Sequence, residues 1–203
     1  MTKRKEFVEG TKKILGKKIE PRLKNQNGTT LLVVDMQAGF INEHNKEYVP
    51  AVIELIESNL FDNYIYTKYI NTANSPFSKI LGWTDLQDSA SQQLVVPYLN
   101  NSEIIVQKHT YGISDDRVKK FKEDKVKEIY ICGTDIDACV YAIGISLFDN
   151  NVKPIFITDA CMTSSETDDL RDWSLKIIER QFGNACMITS DELKEKLKRK
   201  KKS

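Results

Sequence analysis

The chain has 203 residues, of which 40% are hydrophobic and 29% charged, and its formal net charge is +1. These values are typical of one globular domain, and the small net charge argues against a nucleic-acid surface over the whole domain. No apolar run approaches the roughly 20 residues that a membrane span needs. The basic first ten residues lack the apolar segment of a secretory signal, and the four cysteines form no CxxC pair. We therefore expect a cytoplasmic protein without disulfides or membrane partners.

Residues 1–28 are rich in lysine and weakly patterned, and we interpret them as an N-terminal arm that ends at a turn signal. The main domain is predicted over 29–190. Residues 191–203 are predicted to hold a C-terminal helix and a basic tail. Blocks of like charge are usually solvated and disordered, and we expect this of the tail. We expect no nucleic-acid partner for the domain, and the basic tail is the segment where nucleic-acid binding stays open.

Strands and helices alternate along the main domain. Short apolar runs predict strands, and apolar residues at helical spacing predict helices. The predicted strands are 30–34, 64–67, 103–106, 128–132, 154–158 and 186–188, and the predicted helices are 50–60, 114–124, 138–149, 166–182 and a last one from 190. Between them, residues 69–90 have no clear periodicity, and long irregular segments in compact domains are usually functional.

This alternation is the pattern of βαβ units and a parallel sheet. Right-handed crossovers between the strands then give an open, doubly wound α/β layer sandwich. In such a fold the reactive site lies at the carboxyl ends of the strands. Polar residues just beyond each strand are therefore the first candidates for function.

Three side chains with complementary chemistry occupy such positions. Asp35 follows the first strand in VVDMQ, Lys108 follows the third in VQKHTYG, and Cys139 begins a helix after strand 128–132. Taken singly, they can also be a turn carboxylate, a solvated lysine and a buried core cysteine. Together they form a candidate nucleophilic site, in which a helix N-terminus favours the thiolate, Asp35 moves the proton and Lys108 stabilises the ionised partners.

The segments VVDMQAGF, KHTYG and ICGTDIDACV resemble the isochorismatase-like cysteine hydrolase superfamily, which includes nicotinamidases, N-carbamoylsarcosine amidohydrolases and isochorismatases. The resemblance covers about residues 30–188 and implies a three-layer α/β/α sandwich with a mainly parallel six-stranded sheet. It assigns Cys139 as nucleophile, Asp35 as general base and Lys108 as catalytic lysine. It also places the backbone N–H groups of Asp135 and Cys139 in an oxyanion hole, after a cis peptide between Thr134 and Asp135.

The chain departs from this pattern at two places. Nicotinamidases carry a metal site built from an Asp-x-His pair and a further histidine, but residues 40–90 contain His44 as their one histidine and no such pair. We therefore expect no metal and no cofactor, and nicotinamide is disfavoured as substrate. The stretch after Lys108 also lacks the Ser-x-Phe common in carbamoyl-cleaving members. Candidate residues of the substrate pocket are Gln37, Phe40, Phe77, Trp83 and Tyr111. The alternative for Gln37 is that it only holds the loop after Asp35.

Cys139 favours acyl chemistry over the vinyl-ether chemistry of isochorismatases proper. We expect a hydrolase that cleaves an amide, ureide or carbamoyl-type C–N bond of a small molecule through a thioester, and that forms a homo-oligomer. Two alternatives remain open at this point. One is a non-catalytic family member that binds a partner or serves as a scaffold, and the other is an isochorismatase-type ether hydrolase.

Overall fold

The computed structural model describes residues 22–97 and 104–202. Most of the predicted N-terminal arm lies outside the described residues. The part that is described packs on the domain, since Leu23 is buried and its backbone N–H donates to Asp124 Oδ2 at 3.0 Å. No described helix combines the length and the apolar character needed to cross a membrane.

A single parallel sheet forms the centre of the described chain. Its strands are β1 Thr30–Val34, β2 Asn63–Tyr69, β3 Ile104–Lys108, β4 Glu128–Thr134, β5 Lys153–Met162 and β6 Met187–Ile188. They lie in the order β3-β2-β1-β4-β5-β6, and every neighbouring pair is parallel. The chain moves outward from β1 towards one edge and from β4 towards the other, so a crevice opens at the carboxyl ends of β1 and β4.

Helices cover both faces of the sheet. They are α1 Val49–Glu57, α2 Pro76–Ile80, α3 Asp115–Glu123, α4 Cys139–Phe148, α5 Asp168–Phe182 and α6 Ser190–Lys202, with short 3-10 helices at Ala38–Phe40, Lys46–Tyr48 and Asn184–Cys186. Apolar residues of α3, α4 and α5 pack on one face, and those of α1 and α6 pack on the other. The predicted three-layer α/β/α sandwich is confirmed.

The central strand shows why short apolar runs identified the sheet correctly. Leu32 and Val34 of β1 belong to the core beneath α4, whereas Leu31 and Val33 belong to the core beneath α1. All four are fully buried, because a central parallel strand is covered on both faces. A continuous β-branched and apolar run is the sequence pattern of such a strand.

Two segments differ from the sequence prediction. β5 continues to Met162, well past the predicted end at 158, because Gly133 and Thr134 of β4 pair with its second half after a register shift. The irregular stretch 69–90 contains the short helix α2, which begins with Pro76. Ser75 caps its N-terminus, since the Ser75 side chain accepts a hydrogen bond from the Ser78 N–H.

The basic C-terminal tail was expected to be disordered, and this expectation is wrong for the described residues. Helix α6 extends to Lys202. Leu193 and Leu197 lie four residues apart on one helical face and are buried in the core beneath α1, which holds the helix on the sheet. The remaining faces carry Lys194, Lys196, Lys198 and Lys200. A like-charge block is therefore compatible with an ordered amphipathic helix here.

Gly133 brings β4 close to β1 just before the candidate site. Its φ is +113°, and a Cβ at this position would lie 2.2 Å from the backbone oxygen of Val34. Only glycine tolerates both conditions. The close approach sets the turn after β4 beside Asp35, which follows Val34.

Candidate active site

Asp35 is held rigidly at the end of β1. Its backbone has a φ of 45°, a conformation uncommon for residues other than glycine and found often at functional sites. Thr67 of β2 fixes it from the side: the Asp35 N–H donates to Thr67 Oγ1 at 3.1 Å, and this hydroxyl donates to Asp35 Oδ1 at 2.6 Å. The whole residue is buried, so its second carboxylate oxygen, Oδ2, can reach only neighbouring protein groups or a bound ligand.

Lys108 joins the carboxylate to the thiol. It is the last residue of β3, and its side chain is 3% exposed. Its Nζ lies 2.6 Å from Asp35 Oδ2, 3.1 Å from Cys139 Sγ and 3.0 Å from the backbone oxygen of Thr110. Burial alone lowers the pKa of Lys108, but the Asp35 carboxylate and the contact with the Cys139 sulfur outweigh it and hold the pKa above its usual value. Lys108 is therefore a charged ammonium whose three donors all have partners.

Cys139 is the first residue of α4 and is almost fully buried. Burial raises the pKa of its thiol, and the Asp35 carboxylate raises it further, while the ammonium of Lys108 lowers it only in part. The expectation that the helix N-terminus favours a resting thiolate is therefore wrong, because loss of hydration dominates. Cys139 rests as a thiol and needs a base at the moment of attack.

The turn before Cys139 presents backbone N–H groups. The peptide bond between Thr134 and Asp135 is cis, as the resemblance implied. The backbone oxygen of Asp135 accepts hydrogen bonds from the N–H groups of Ala138 and Val140, which tightens the turn into α4. Within the described residues no backbone acceptor is assigned to the N–H of Asp135 or of Cys139, so both donors are free for an oxyanion.

The side chain of Asp135 is used within the protein. Its Oδ1 accepts from the Ser164 N–H at 2.5 Å, its Oδ2 accepts from Ser164 Oγ at 2.8 Å, and the Thr134 hydroxyl also donates to Oδ1. Burial raises the pKa of Asp135, partly offset by these hydrogen bonds. The carboxylate therefore ties the turn before α4 to the segment after β5.

A cavity of about 590 Å³ opens above Cys139. One wall is aromatic: Phe77 packs with its ring centroid 4.6 Å from that of Tyr111 and 4.8 Å from that of Tyr69, and Trp83 stacks on Phe40 at 6.2 Å. The residues that line it are Gly39, Phe40, Asn42, Tyr69, Phe77, Leu81, Trp83, Asp85, Tyr111, Asp135, Asp137, Ala138, Cys139 and Ser164. A volume of this size accommodates a small organic molecule.

Four of the five predicted wall residues, Phe40, Phe77, Trp83 and Tyr111, line this cavity. Gln37 does not line the cavity, which corrects its place among the pocket candidates; it takes the other role predicted for it and holds the loop after Asp35. Its amide is buried and cross-links the loop after β1, since its Nε2 donates to the backbone oxygens of Tyr69 and Gln92 and its Oε1 accepts from the Tyr69 N–H. Gln37 therefore supports the site from behind.

Several residues of the site escaped prediction. The second strand was predicted to end at Thr67, whereas β2 extends to Tyr69. Neither Thr67 nor Tyr69 was therefore predicted as a residue of the site. Asp137 stands two positions before Cys139, on the turn into α4, and was not predicted to face the cavity. Asn42, Asp85 and Ser164 lie on loops, where the sequence carries no periodic signal.

Among the described residues, no group of three or more His, Cys, Asp or Glu side chains is arranged to hold a metal ion. The donor set that the resemblance associates with nicotinamidases is thus not formed in this part of the chain.

The isochorismatase domain model matches residues 29–191. No curated protein sequence matches the chain. The fold is similar to that of a cysteine hydrolase from Pseudomonas syringae pv. phaseolicola, with 19% identity over 89% of this chain and 99% of that one and a TM-score of 0.74. An isochorismatase-like hydrolase from Alkaliphilus metalliredigens has 17% identity over 81% and 96%, with a TM-score of 0.71. A pyrazinamidase of Pyrococcus horikoshii in complex with zinc has 20% identity over 79% and 98%, with a TM-score of 0.67.

Proposed function

Because the chain belongs to the isochorismatase family, we propose that it hydrolyses an amide, ureide or carbamoyl-type C–N bond of a small molecule through a thioester on Cys139. One observation carries this proposal. The Nζ of Lys108 contacts both the Asp35 carboxylate, at 2.6 Å, and the Cys139 sulfur, at 3.1 Å, next to the 590 Å³ cavity. A cation in contact with both a base and a thiol supplies the parts of an activated nucleophile.

Acylation begins with proton transfer. Since burial keeps Cys139 protonated, Asp35 takes the thiol proton as the sulfur attacks the carbonyl carbon. Lys108 offsets the negative charge that then lies on the sulfur. The new S–C bond places negative charge on the former carbonyl oxygen, and the free N–H groups of Asp135 and Cys139 donate to it. Asp35 returns the proton to the leaving nitrogen, and the C–N bond breaks.

Deacylation reverses these roles. A water molecule replaces the released amine, and Asp35 takes a proton from it as its oxygen attacks the thioester carbon. The C–S bond then breaks, and the sulfur of Cys139 recovers a proton. The product is a carboxylic acid, or a carbamate where the substrate is a ureide. Each step uses only Asp35, Lys108, Cys139 and backbone donors.

Trapping the acyl-enzyme tests the mechanism. The purified protein is mixed with 4-nitrophenyl acetate, and intact mass spectrometry with peptide mapping follows acetylation, alongside turnover of a panel of primary amides and ureides. We expect acetylation at Cys139 and a loss of turnover of at least about 10³-fold in Cys139→Ala.

Cys186→Ala is the matched control, because Cys186 is also buried and free but does not line the cavity. It should keep normal acetylation and turnover. Full turnover by Cys139→Ala, or an acetyl group found on another cysteine alone, contradicts the mechanism.

A further inference from the structure

The charged groups that line the cavity above Cys139 are all acidic. Asp85, Asp135 and Asp137 contribute to the walls, and no Lys, Arg or His does so among the described residues. Lys108 does not line the cavity and is already engaged with Asp35 and the Cys139 thiol. An anionic substituent of a substrate therefore meets no counter-charge in this cavity.

Two of the three carboxylates keep an oxygen for a ligand. Asp137 accepts a hydrogen bond from Thr163 on Oδ1, at 2.7 Å, and Asp85 accepts from the Trp83 indole on Oδ2, at 3.0 Å. In the described chain no donor is assigned to the other oxygen of either group, and neither is paired with a cation. Asp137 comes from the turn before α4 and Asp85 from the loop after α2, so the two carboxylates approach the cavity from separate elements.

The aromatic wall has the same electrostatic preference. Phe40, Tyr69, Phe77, Trp83 and Tyr111 contribute rings to the cavity. The face of an aromatic ring is the negative end of its quadrupole and attracts ammonium and guanidinium groups. The rings and the carboxylates therefore favour a cation and disfavour an anion in the same space.

We propose that the substrate is an amide or ureide that carries a positively charged group, such as an ammonium or amidinium, on the side remote from the scissile bond. The inference rests on the proposed function, because it takes this cavity as the substrate pocket of the hydrolase. The cation would contact the aromatic wall and the free oxygens of Asp85 and Asp137. Amides that carry a carboxylate in the same position would be excluded.

Three compounds with the same ring and amide but different charge test this proposal: 4-(aminomethyl)benzamide, 4-methylbenzamide and 4-carbamoylbenzoate. Their binding is measured by calorimetry on Cys139→Ala, where no turnover occurs, and their hydrolysis on the unmodified protein. We expect the ammonium compound to bind about tenfold more tightly than the neutral one, since the aromatic faces and the carboxylates attract the ammonium group. The carboxylate compound should bind more weakly than both.

Matched variants identify the source of the preference. In the Cys139→Ala background, Asp85→Asn with Asp137→Asn should reduce the preference for the ammonium compound at least about threefold, because the cation–π contacts and Asp135, whose carboxylate is already hydrogen-bonded to Ser164, then remain. Asp115→Asn with Asp116→Asn removes the same two charges from exposed positions on α3 outside the cavity and should leave the preference unchanged. An equal effect of this second double variant would mean that net charge, and not the cavity, sets the preference, and would overturn the inference.

The outcomes separate this inference from the proposed function. Equal or tighter binding of the carboxylate compound, or binding of none of the three, overturns the inference whatever the protein hydrolyses. Preferential binding of the ammonium compound by Cys139→Ala supports the inference. If the unmodified protein shows that preference but never acylates Cys139, the mechanism fails while the charge selectivity stands.

Discussion

Thr67 offers a way to disturb the proposed base without touching the cavity. Its hydroxyl donates to Asp35 Oδ1 at 2.6 Å and accepts from the Asp35 N–H at 3.1 Å, and both residues are fully buried. Thr67→Val keeps the shape of the side chain and removes both hydrogen bonds. A hydrogen bond to a charged group contributes about 1.5–3 kcal/mol, and an unsatisfied buried N–H costs about 1–3 kcal/mol.

Because the same oxygen makes both hydrogen bonds, the two losses overlap. We expect Thr67→Val to lower the free energy of unfolding by about 2–4 kcal/mol, measured by urea denaturation. For a domain of this size such a loss lowers Tm by about 5–15 °C. Thr67→Ser retains the hydroxyl and should recover more than half of the lost stability.

The kinetic effect separates positioning from folding. Acylation of Cys139 by 4-nitrophenyl acetate is measured at a temperature where both variants are folded. We expect Thr67→Val to lower the maximal acylation rate about 10–100-fold, as a misplaced general base loses part of its contribution. The concentration of 4-nitrophenyl acetate that gives half the maximal acylation rate should change little, because Thr67 does not line the cavity. The reasoning fails if Thr67→Val is as stable and as fast as the unmodified protein, or if Thr67→Ser is equally impaired.

Three further predictions follow from burial and backbone geometry. The carboxylate of Asp35 raises the pKa of Cys139, so Asp35→Asn should speed alkylation of Cys139 by iodoacetamide at about pH 7 while abolishing acyl turnover; slower alkylation contradicts this. Burial raises the pKa of Cys161 to about 12, and since the unfolded thiol ionises from about pH 8.5, the free energy of unfolding should fall above that pH by up to about 1.4 kcal/mol per unit. Urea denaturation at several pH values should show that the free energy of unfolding falls less steeply with pH in Cys161→Ala than in the unmodified protein. An equally steep fall in both proteins contradicts the prediction. Gly133→Ala should destabilise the protein by more than about 4 kcal/mol, because its Cβ would strike the backbone of β1. Gly183→Ala, where φ is also positive but the space is open, should cost about 1–2 kcal/mol; equal losses would refute the steric argument.

Local patterns in the sequence were sufficient for the fold class and for the principal candidates of the site. A buried parallel strand must be apolar on both faces, so the run at 30–34 identified β1 directly. Parallel strands also bring their carboxyl ends to one edge, and this rule selects Asp35, Lys108 and Cys139 from the sequence. In the structure Lys108 contacts the other two side chains.

Other features depend on partners distant in the chain, and no local pattern contains them. β5 is long because β4 continues beside it, and α6 is ordered to Lys202 because its two leucines reach the core beneath α1. Gln37 follows a strand end as Asp35 does, yet its amide turns away from the cavity to bind the backbone of β2.

The ionisation of Cys139 shows most clearly which properties follow from the local sequence and which depend on the assembled fold. Its residue type and its place at a helix start follow from the sequence, and both favour a thiolate. Its burial beside the Asp35 carboxylate arises only when the strands are assembled, and these surroundings keep the thiol protonated. Loss of hydration depends on how many atoms surround a group, which is a property of the whole fold. The sequence by itself thus determined which residues stand at the crevice, and the tertiary structure alone decided their charges and the acidic, aromatic wall that faces them.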